Sequence, residues 1–155
     1  MNANKHRITI ISRAELKHSD EIYNIECESF ADPWSLESIE DEILSEDSIC
    51  LVATENNNTV GYVSMRHIID EGHINNIAVA KDYRNRGIAS LLMETLLKEA
   101  DRRKIIGTTL EVRVSNYAAV SLYDKYGFII EGYRKYYYSS PTEDAAIMWR
   151  RRSLA

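Results

Sequence analysis

The sequence predicts a mixed α/β domain, one sheet with helices packed on its faces. Three observations predict it. β-rich and helix-periodic segments follow one another in the order β, α, α, three strands, α, β, α and two strands. Two of the strands, at residues 77–79 and 108–114, lead straight into helices, and such βα units suggest neighbouring parallel strands splayed around a cleft. The 155 residues, 45% of them hydrophobic, can bury one substantial core but are short for two ordinary domains, so residues 1–155 are expected to be a single domain.

Residues 6–12 carry Ile8, Ile10 and Ile11 around Thr9, a short strand pattern that opens the sheet. Residues 16–30 are helical, with Ile22, Ile25 and Ser29 on one side and Tyr23, Cys27 and Phe30 adjoining. Asp32-Pro33 ends that helix, because proline lacks a donor and disfavours the helical region for the residue before it. A shorter helix follows, with Ser35 as N-cap, Ile39, Ile43 and Leu44 beyond it, and Glu37, Glu40, Asp41 and Glu42 through its early turns. Residues 49–54 and 60–68 are β-rich and joined by Glu55-Asn56-Asn57-Asn58-Thr59, whose asparagines tolerate turn conformations; this reads as a hairpin. Asp70-Glu71-Gly72 turns the chain into a strand at 73–79. There Ile77 and Val79 share a face while Ile74 falls out of phase, which suggests a bulge near Asn75-Asn76.

The helix at residues 87–103 has the clearest pattern of all. Ile88, Leu92, Leu96 and Ala100 form one i, i+4 row with Ala89, Met93 and Leu97 beside it, while Ser90, Glu94, Lys98 and Asp101 face away. Residues 108–114 alternate, Leu110, Val112 and Val114 against Thr109, Glu111 and Arg113, giving a strand with one polar face. Ser115-Asn116 caps a helix carrying Ala119, Leu122, Tyr123 and Tyr126, which Gly127 closes. Residues 128–138 and 145–149 are the last strands, and the exposed loop between them includes Pro141.

Composition bounds the function. A formal net charge of −5 argues against a general nucleic-acid binder, although Arg84-Asn85-Arg86, Arg102-Arg103-Lys104 and Arg150-Arg151-Arg152 are local basic patches. The N-terminus lacks a signal peptide's apolar core and no apolar run is long enough to span a membrane, so a cytoplasmic protein without membrane contact is expected. Cys27 and Cys50 lack CxxC spacing and read as core or near-core thiols rather than a disulfide. His6, His18, His67 and His73 show no metal-ligand spacing, so no metal is expected.

The stretch from Ile77 to Ala89 draws these elements together. An apolar strand end runs through Arg84-Asn85-Arg86 to Gly87, where a helix begins. A glycine at that junction lets the backbone approach a ligand, and the first-turn N–H groups and macrodipole favour an anion, phosphate above all. An ordinary strand-loop-helix connection with solvent-facing charges would read the same way.

At this point the chain resembles the GNAT superfamily of acetyl-CoA-dependent N-acetyltransferases, over nearly its full length. R-N-R-G-I-A at residues 84–89 fits that family's pyrophosphate loop, and N-Y-A-A-V-S-L-Y-D-K-Y-G-F at 116–128 is similar to its second cofactor segment. D-P-W-S at 32–35, I-N-N-I-A-V at 74–79, L-E-V-R at 110–113, and K-Y-Y-Y with the later E-D-A at 135–138 and 143–145 are similar to the branch that acetylates the N-terminal alanine of a bacterial small-subunit ribosomal protein. Arg84 stands where many members have glutamine and Ala89 where many have glycine. The resemblance implies a mostly antiparallel seven-stranded sheet with about four helices and a splayed parallel strand pair forming the cofactor cleft.

It also implies roles. Acetyl-CoA would lay its pantetheine arm along Ile77, Ala78 and Val79, its phosphates on the loop and first turn at Arg84, Asn85, Arg86, Gly87, Ile88, Ala89 and Ser90, with Asn116 as a further partner. Asn116 equally reads as a helix cap alone. Glu111 matches the branch's general base, although a strand glutamate beside Arg113 is also an ordinary surface residue. Tyr123 matches the acid that protonates the departing thiolate; it lies about 10 Å along the helix from an Asn116 cap, a spacing that also suits a core tyrosine. Trp34, Tyr136, Tyr137 and Tyr138 would flank the acceptor peptide, or serve as packing and strand residues. An α-amino group has a pKa of about 7.7–8.0 against about 10.4 for lysine, so a carboxylate has only a modest task with the former. Direct attack in a ternary complex is favoured over an acetyl-cysteine route, since neither cysteine sits on the cofactor strand. The expected partner is the N-terminus of a ribosomal protein, and the chain itself is expected to be a monomer or weak dimer; the alternatives are a GNAT acting on lysine or a small amine, and a non-catalytic CoA-binding module.

Overall fold

The computed structural model describes residues 8–152. Among these, seven strands form one sheet: β1 (Ile10–Arg13), β2 (Ser48–Glu55), β3 (Asn58–Ile68), β4 (Glu71–Val79), β5 (Gly107–Arg113), β6 (Ile129–Tyr138) and β7 (Glu143–Arg151). Four α-helices accompany it: α1 (Ser19–Ser29), α2 (Leu36–Leu44), α3 (Ile88–Arg102) and α4 (Tyr117–Lys125). The strands lie in the order β1-β2-β3-β4-β5-β7-β6, and only β4 and β5 run parallel. This is the mixed sheet that the sequence pattern predicted, mostly antiparallel as the resemblance implied. Of the expected first strand, His6 and Arg7 lie outside the described residues.

Both faces of the sheet are covered, and each is an apolar cluster of its own. On one side Ile88, Leu92, Leu96 and Ala100 of α3 pack with Ile49, Leu51, Val63, Leu110 and Phe128. On the other, Ile22 and Ile25 of α1 and Ile39 and Ile43 of α2 pack with Cys50, Val52, Tyr62 and Ala78. Burying a side chain such as Leu92 or Leu96 contributes about 1.5–3 kcal/mol, so the α3 row is a main source of cohesion. β2 buries every residue from Ile49 to Ala53, which is why its sequence is continuously apolar instead of alternating. A Cβ on Gly61 would stand 3.2 Å from both the Ala78 carbonyl and Leu92 Cδ1, so glycine there lets α3 settle against the strands.

Two local features position the site. Ser64 pairs with Asn76 but Met65 pairs with Ile74, leaving Asn75 as an extra residue in β4, a bulge where the phase of the isoleucines required one. It returns Ile74 to the core. β4 and β5 pair only over Glu71–His73 and Gly107–Thr109, then part. Cys27 corrects an expectation: it lies exposed on α1, whereas Cys50 is buried, its thiol pushed up to about 12 by burial. The stripe of α1 that faces the sheet is Ile22, Ile25 and Glu26, and Cys27 falls one step beyond it.

Candidate active site

The site begins with backbone groups that the sheet leaves open. Ala80 donates its N–H to the Val60 carbonyl at 2.8 Å. Because antiparallel pairing alternates, Ala78 also faces β3, while Ile77 and Val79 turn their N–H and C=O groups toward β5. β5 has already left the ladder there. Arg84 Nε takes the Val79 carbonyl at 3.0 Å, and the remaining groups of Ile77 and Val79 edge the gap between the strands.

The loop after β4 shapes the other end. Arg84 is extended, Asn85 has φ 62° and Gly87 has φ 80°, a sequence of turns that gathers successive N–H groups on one side, at the positive end of α3. Gly87 is the N-cap and brings no side-chain acceptor, so the first-turn N–H groups of Ile88, Ala89 and Ser90 keep none from the cap. A Cβ at Gly87 would meet no protein atom within 4 Å, so what the chain itself requires of the residue is its left-handed backbone. Arg84 also reaches Ser29 Oγ at 3.2 Å, tying the loop to α1.

On β5, Glu111 extends into the gap and meets His73 of β4, Oε2 to Nε2 at 2.6 Å. Arg134 of β6 stands 3.6 Å from Oε1. The His73 hydrogen bond, helped by Arg134, holds the Glu111 carboxyl below the usual carboxylate range despite its partial burial. Asn116 Oδ1 accepts the Ala119 N–H at 3.2 Å, so Asn116 does cap α4. That cap sets Tyr123 two turns on, buried with its ring 5.8 Å from Phe128, and burial pushes its phenol well above the ordinary tyrosine range. Tyr126, one turn further, donates its hydroxyl to the Ser90 carbonyl at 3.0 Å and ties α4 to the start of α3.

The opposite wall is aromatic. Trp34 and Phe30 line it from the α1–α2 loop, and Tyr137 and Tyr138 from β6, their rings 4.9 Å apart at a right angle. Burial and the nearby Tyr137 and Glu111 push the Tyr138 phenol up to about 12. Arg113 lies over the Tyr138 ring at 4.5 Å and donates to the carbonyls of Ser139 and Pro141, pinning the loop that closes the wall. Behind the bulge, two buried carboxylates each hold one asparagine amide: Asn75 donates to Glu42 at 3.2 Å and Asn76 to Glu26 at 2.7 Å.

The resulting cleft has a volume of about 1030 Å³. It gathers Trp34, Ile77, Ala78, Val79, Arg84, Asn85, Gly87, Ile88, Ala89, Ser90, Glu111, Asn116, Tyr123, Tyr137 and Tyr138, nearly all of the residues singled out in the sequence. Two are not among its lining. Arg86 turns away to Glu55 at 3.0 Å and lies over the Tyr83 ring. Tyr136, φ 55°, sits in a register break of β6 with its backbone N–H on Asp144 and the residue 76% exposed. Regular alternation would have put Tyr136 and Tyr138 on one face and Tyr137 on the other; the break instead brings the adjacent Tyr137 and Tyr138 to the cleft and leaves Tyr136 outside it. His73, Asn75 and Asn76 line the cleft and were not singled out; the one sequence signal for His73 was its place at the start of a strand parallel to that of Glu111. The open strand edge, the N–H concavity and the cleft between them suit a long ligand with a phosphate end and an amide-bearing arm.

The family model for "Acetyltransferase (GNAT) family" matches residues 19–128. A ribosomal protein bS18-alanine N-acetyltransferase of Escherichia coli (strain K12) is 34% identical over 140 residues, covering 89% of this chain and 94% of that one. A Bacillus subtilis (strain 168) relative that carries the same name provisionally is 36% identical over 143 residues, with 90% and 93% covered. The crystal structure of the ribosomal-protein-S18-alanine N-acetyltransferase from Escherichia coli superimposes with a TM-score of 0.89 at 33% identity, covering 96% of both chains.

Proposed function

The chain belongs to the GNAT family of acetyltransferases, and from that premise we propose that it transfers acetyl from acetyl-CoA to the N-terminal amine of a protein, the alanine of a small-subunit ribosomal protein. The observation that carries this is the parting of β4 and β5, which sets an open strand edge and a helix N-terminus beside Glu111 and Tyr123. The names of the similar proteins support the acceptor. Acetyl-CoA supplies a thioester whose acyl carbon is open to an amine.

The chain's own residues do the rest. The N–H groups from Asn85 through Ser90 would hold the phosphates, and Ile77, Ala78, Val79 and Asn116 the pantetheine arm. The Val79 N–H polarises the carbonyl and stabilises the charge that develops on its oxygen. Trp34, Tyr137 and Tyr138 frame the acceptor backbone. Glu111, ionised at neutral pH, supports removal of the amine's proton, directly or through a water, and Tyr123 gives its proton to the departing sulfur. Every group comes from one chain, so a monomer or weak dimer suffices, and the reaction so drawn calls on no metal. Among the described residues no helix is long and apolar enough to cross a membrane. A ribosomal-protein acceptor puts the reaction in the cytoplasm.

The test is incubation with acetyl-CoA and short peptides, some beginning with free alanine, some with that terminus blocked and a lysine within. Turnover restricted to the free α-amine is expected. Turnover on lysine or a small amine instead would overturn the acceptor, and CoA binding without any turnover would overturn the enzyme.

A further inference from the structure

His73 stands at the last paired step of the parallel strands, immediately before the bulge, with its ring on the cleft. Its Nε2 lies 2.6 Å from Glu111 Oε2, a separation that two lone pairs do not share. An ionised carboxylate can only accept, so Nε2 carries the hydrogen, and in the neutral ring Nδ1 then keeps its lone pair. Among the described residues Nδ1 has no hydrogen-bond partner, and the side chain is 41% exposed. Glu111 is placed differently. Both of its oxygens face donors, the imidazole N–H at Oε2 and Arg134 at Oε1. A carboxylate so occupied suits holding a neighbour in one tautomer better than collecting a proton.

We infer that His73 and Glu111 act as one proton-accepting dyad, in which the carboxylate fixes the Nε2–H form of the ring and the ring takes the amine's proton at Nδ1. This rests on the proposed N-terminal acetyl transfer and assigns the base within it. The other groups facing the pair are Arg66, the β3 neighbour of His73 whose guanidinium is drawn to Glu42, and Arg134 and Tyr138 of β6. The protons balance. As the N–C bond forms, one amine proton passes to Nδ1, directly or through a water, and the imidazolium is stabilised by Glu111. The C–S bond breaks and Tyr123 gives its hydroxyl proton to the sulfur. The partly exposed ring then releases its proton to solvent and Tyr123 regains one, so amine and thioester become amide and thiol with no net proton change.

The experiment is a double-mutant cycle on the full chain with acetyl-CoA and an alanine-terminated peptide, joined to imidazole ¹H–¹⁵N spectra of the wild type. Glutamine at position 73 keeps an N–H donor for Glu111 while removing the basic nitrogen, so a merely positioning histidine would tolerate it. We expect His73→Gln and Glu111→Gln each to lower kcat by about 10²-fold or more, with KM for acetyl-CoA changed less than about twofold. The double variant should lose no more than the worse single one. The spectra should show the Nε2–H tautomer, a result that needs no variant to fold. A wild-type rate in His73→Gln, losses that multiply in the double variant, or an Nδ1–H tautomer would overturn the dyad. A wild type that fails on every free N-terminus overturns the acceptor assignment instead, and the tautomer then decides the dyad.

Discussion

Glu42 and Glu26 sit behind the same bulge, 4% and 0% exposed, yet replacing each with glutamine should move stability in opposite directions. Glu42 Oε1 accepts from Ser48 at 2.8 Å, Ser64 at 3.0 Å and Asn75 at 3.2 Å, and Oε2 accepts from Arg66 at 2.9 Å. Burial pushes its carboxyl up, but the bonds from Ser48, Arg66 and Ser64 outweigh that and hold it below the ordinary value. Glutamine keeps one acceptor oxygen and turns an NH₂ toward the guanidinium. An unsatisfied buried donor costs about 1–3 kcal/mol, and the lost charge pair adds under about 1 because Arg66 is half exposed. A loss of about 2–3 kcal/mol lowers Tm by about 4–12 °C in a domain of this size. For Glu26, burial is the leading influence and raises the carboxyl, only partly offset by Tyr62, Asn76 and the Trp34 backbone. Its Oε2 and the Tyr62 hydroxyl make no hydrogen bond of full geometry. Glutamine can keep the Asn76 bond and removes the buried charge, so Tm should hold or rise. The two effects respond to acid from opposite sides. A depressed carboxyl stabilises above its unfolded pKa of about 4.3 and loses that as pH falls through its folded value; a raised one is a penalty relieved as pH falls through its own. Both gaps to wild type should therefore narrow as the solution is acidified. Thermal melts followed by circular dichroism at neutral and acidic pH measure this. A Glu42→Gln protein that melts at or above wild type, or a Glu26→Gln protein that falls as far, would refute the reasoning.

Three further outcomes are expected. Tyr123→Phe should lower kcat by about 10²-fold with a nearly unchanged melt, and an undiminished rate in steady-state assays would remove it as the acid. Arg86→Leu strands the buried Glu55 with only the Thr9 hydroxyl beside it, so stability should fall by about 2–3 kcal/mol while KM for acetyl-CoA shifts less than about threefold; a large KM change with an unaltered melt would return Arg86 to the cofactor site. Gly87→Ala meets no neighbour but must hold φ 80°, and urea unfolding should register a loss of about 1–2 kcal/mol; no loss would mean that the loop adopts another turn.

What the sequence made legible was local. The α3 row, the Ser35 and Asn116 caps and the β4 bulge each follow from residues within a few positions of one another, where helix and strand periods apply directly. What escaped it was pairing across the chain. His73 meets Glu111 from 38 residues away and Asn76 meets Glu26 from 50, and both contacts exist because three elements converge at the strand parting. Arg86 read as a phosphate ligand because it stands in the basic loop before α3, yet a buried glutamate 31 positions earlier holds it. Tyr136 was lost to a register break in an edge strand, which no period of two can announce.

The most direct measurement is a titration of the ¹⁵N-labelled protein with CoA, followed by backbone amide shifts. The amides of Ile77 and Val79 and those from Asn85 through Ser90 should move together and saturate together, since these are the groups left open by β4 and by the start of α3. Silence at those amides, or a response centred on another part of the chain, would contradict the account.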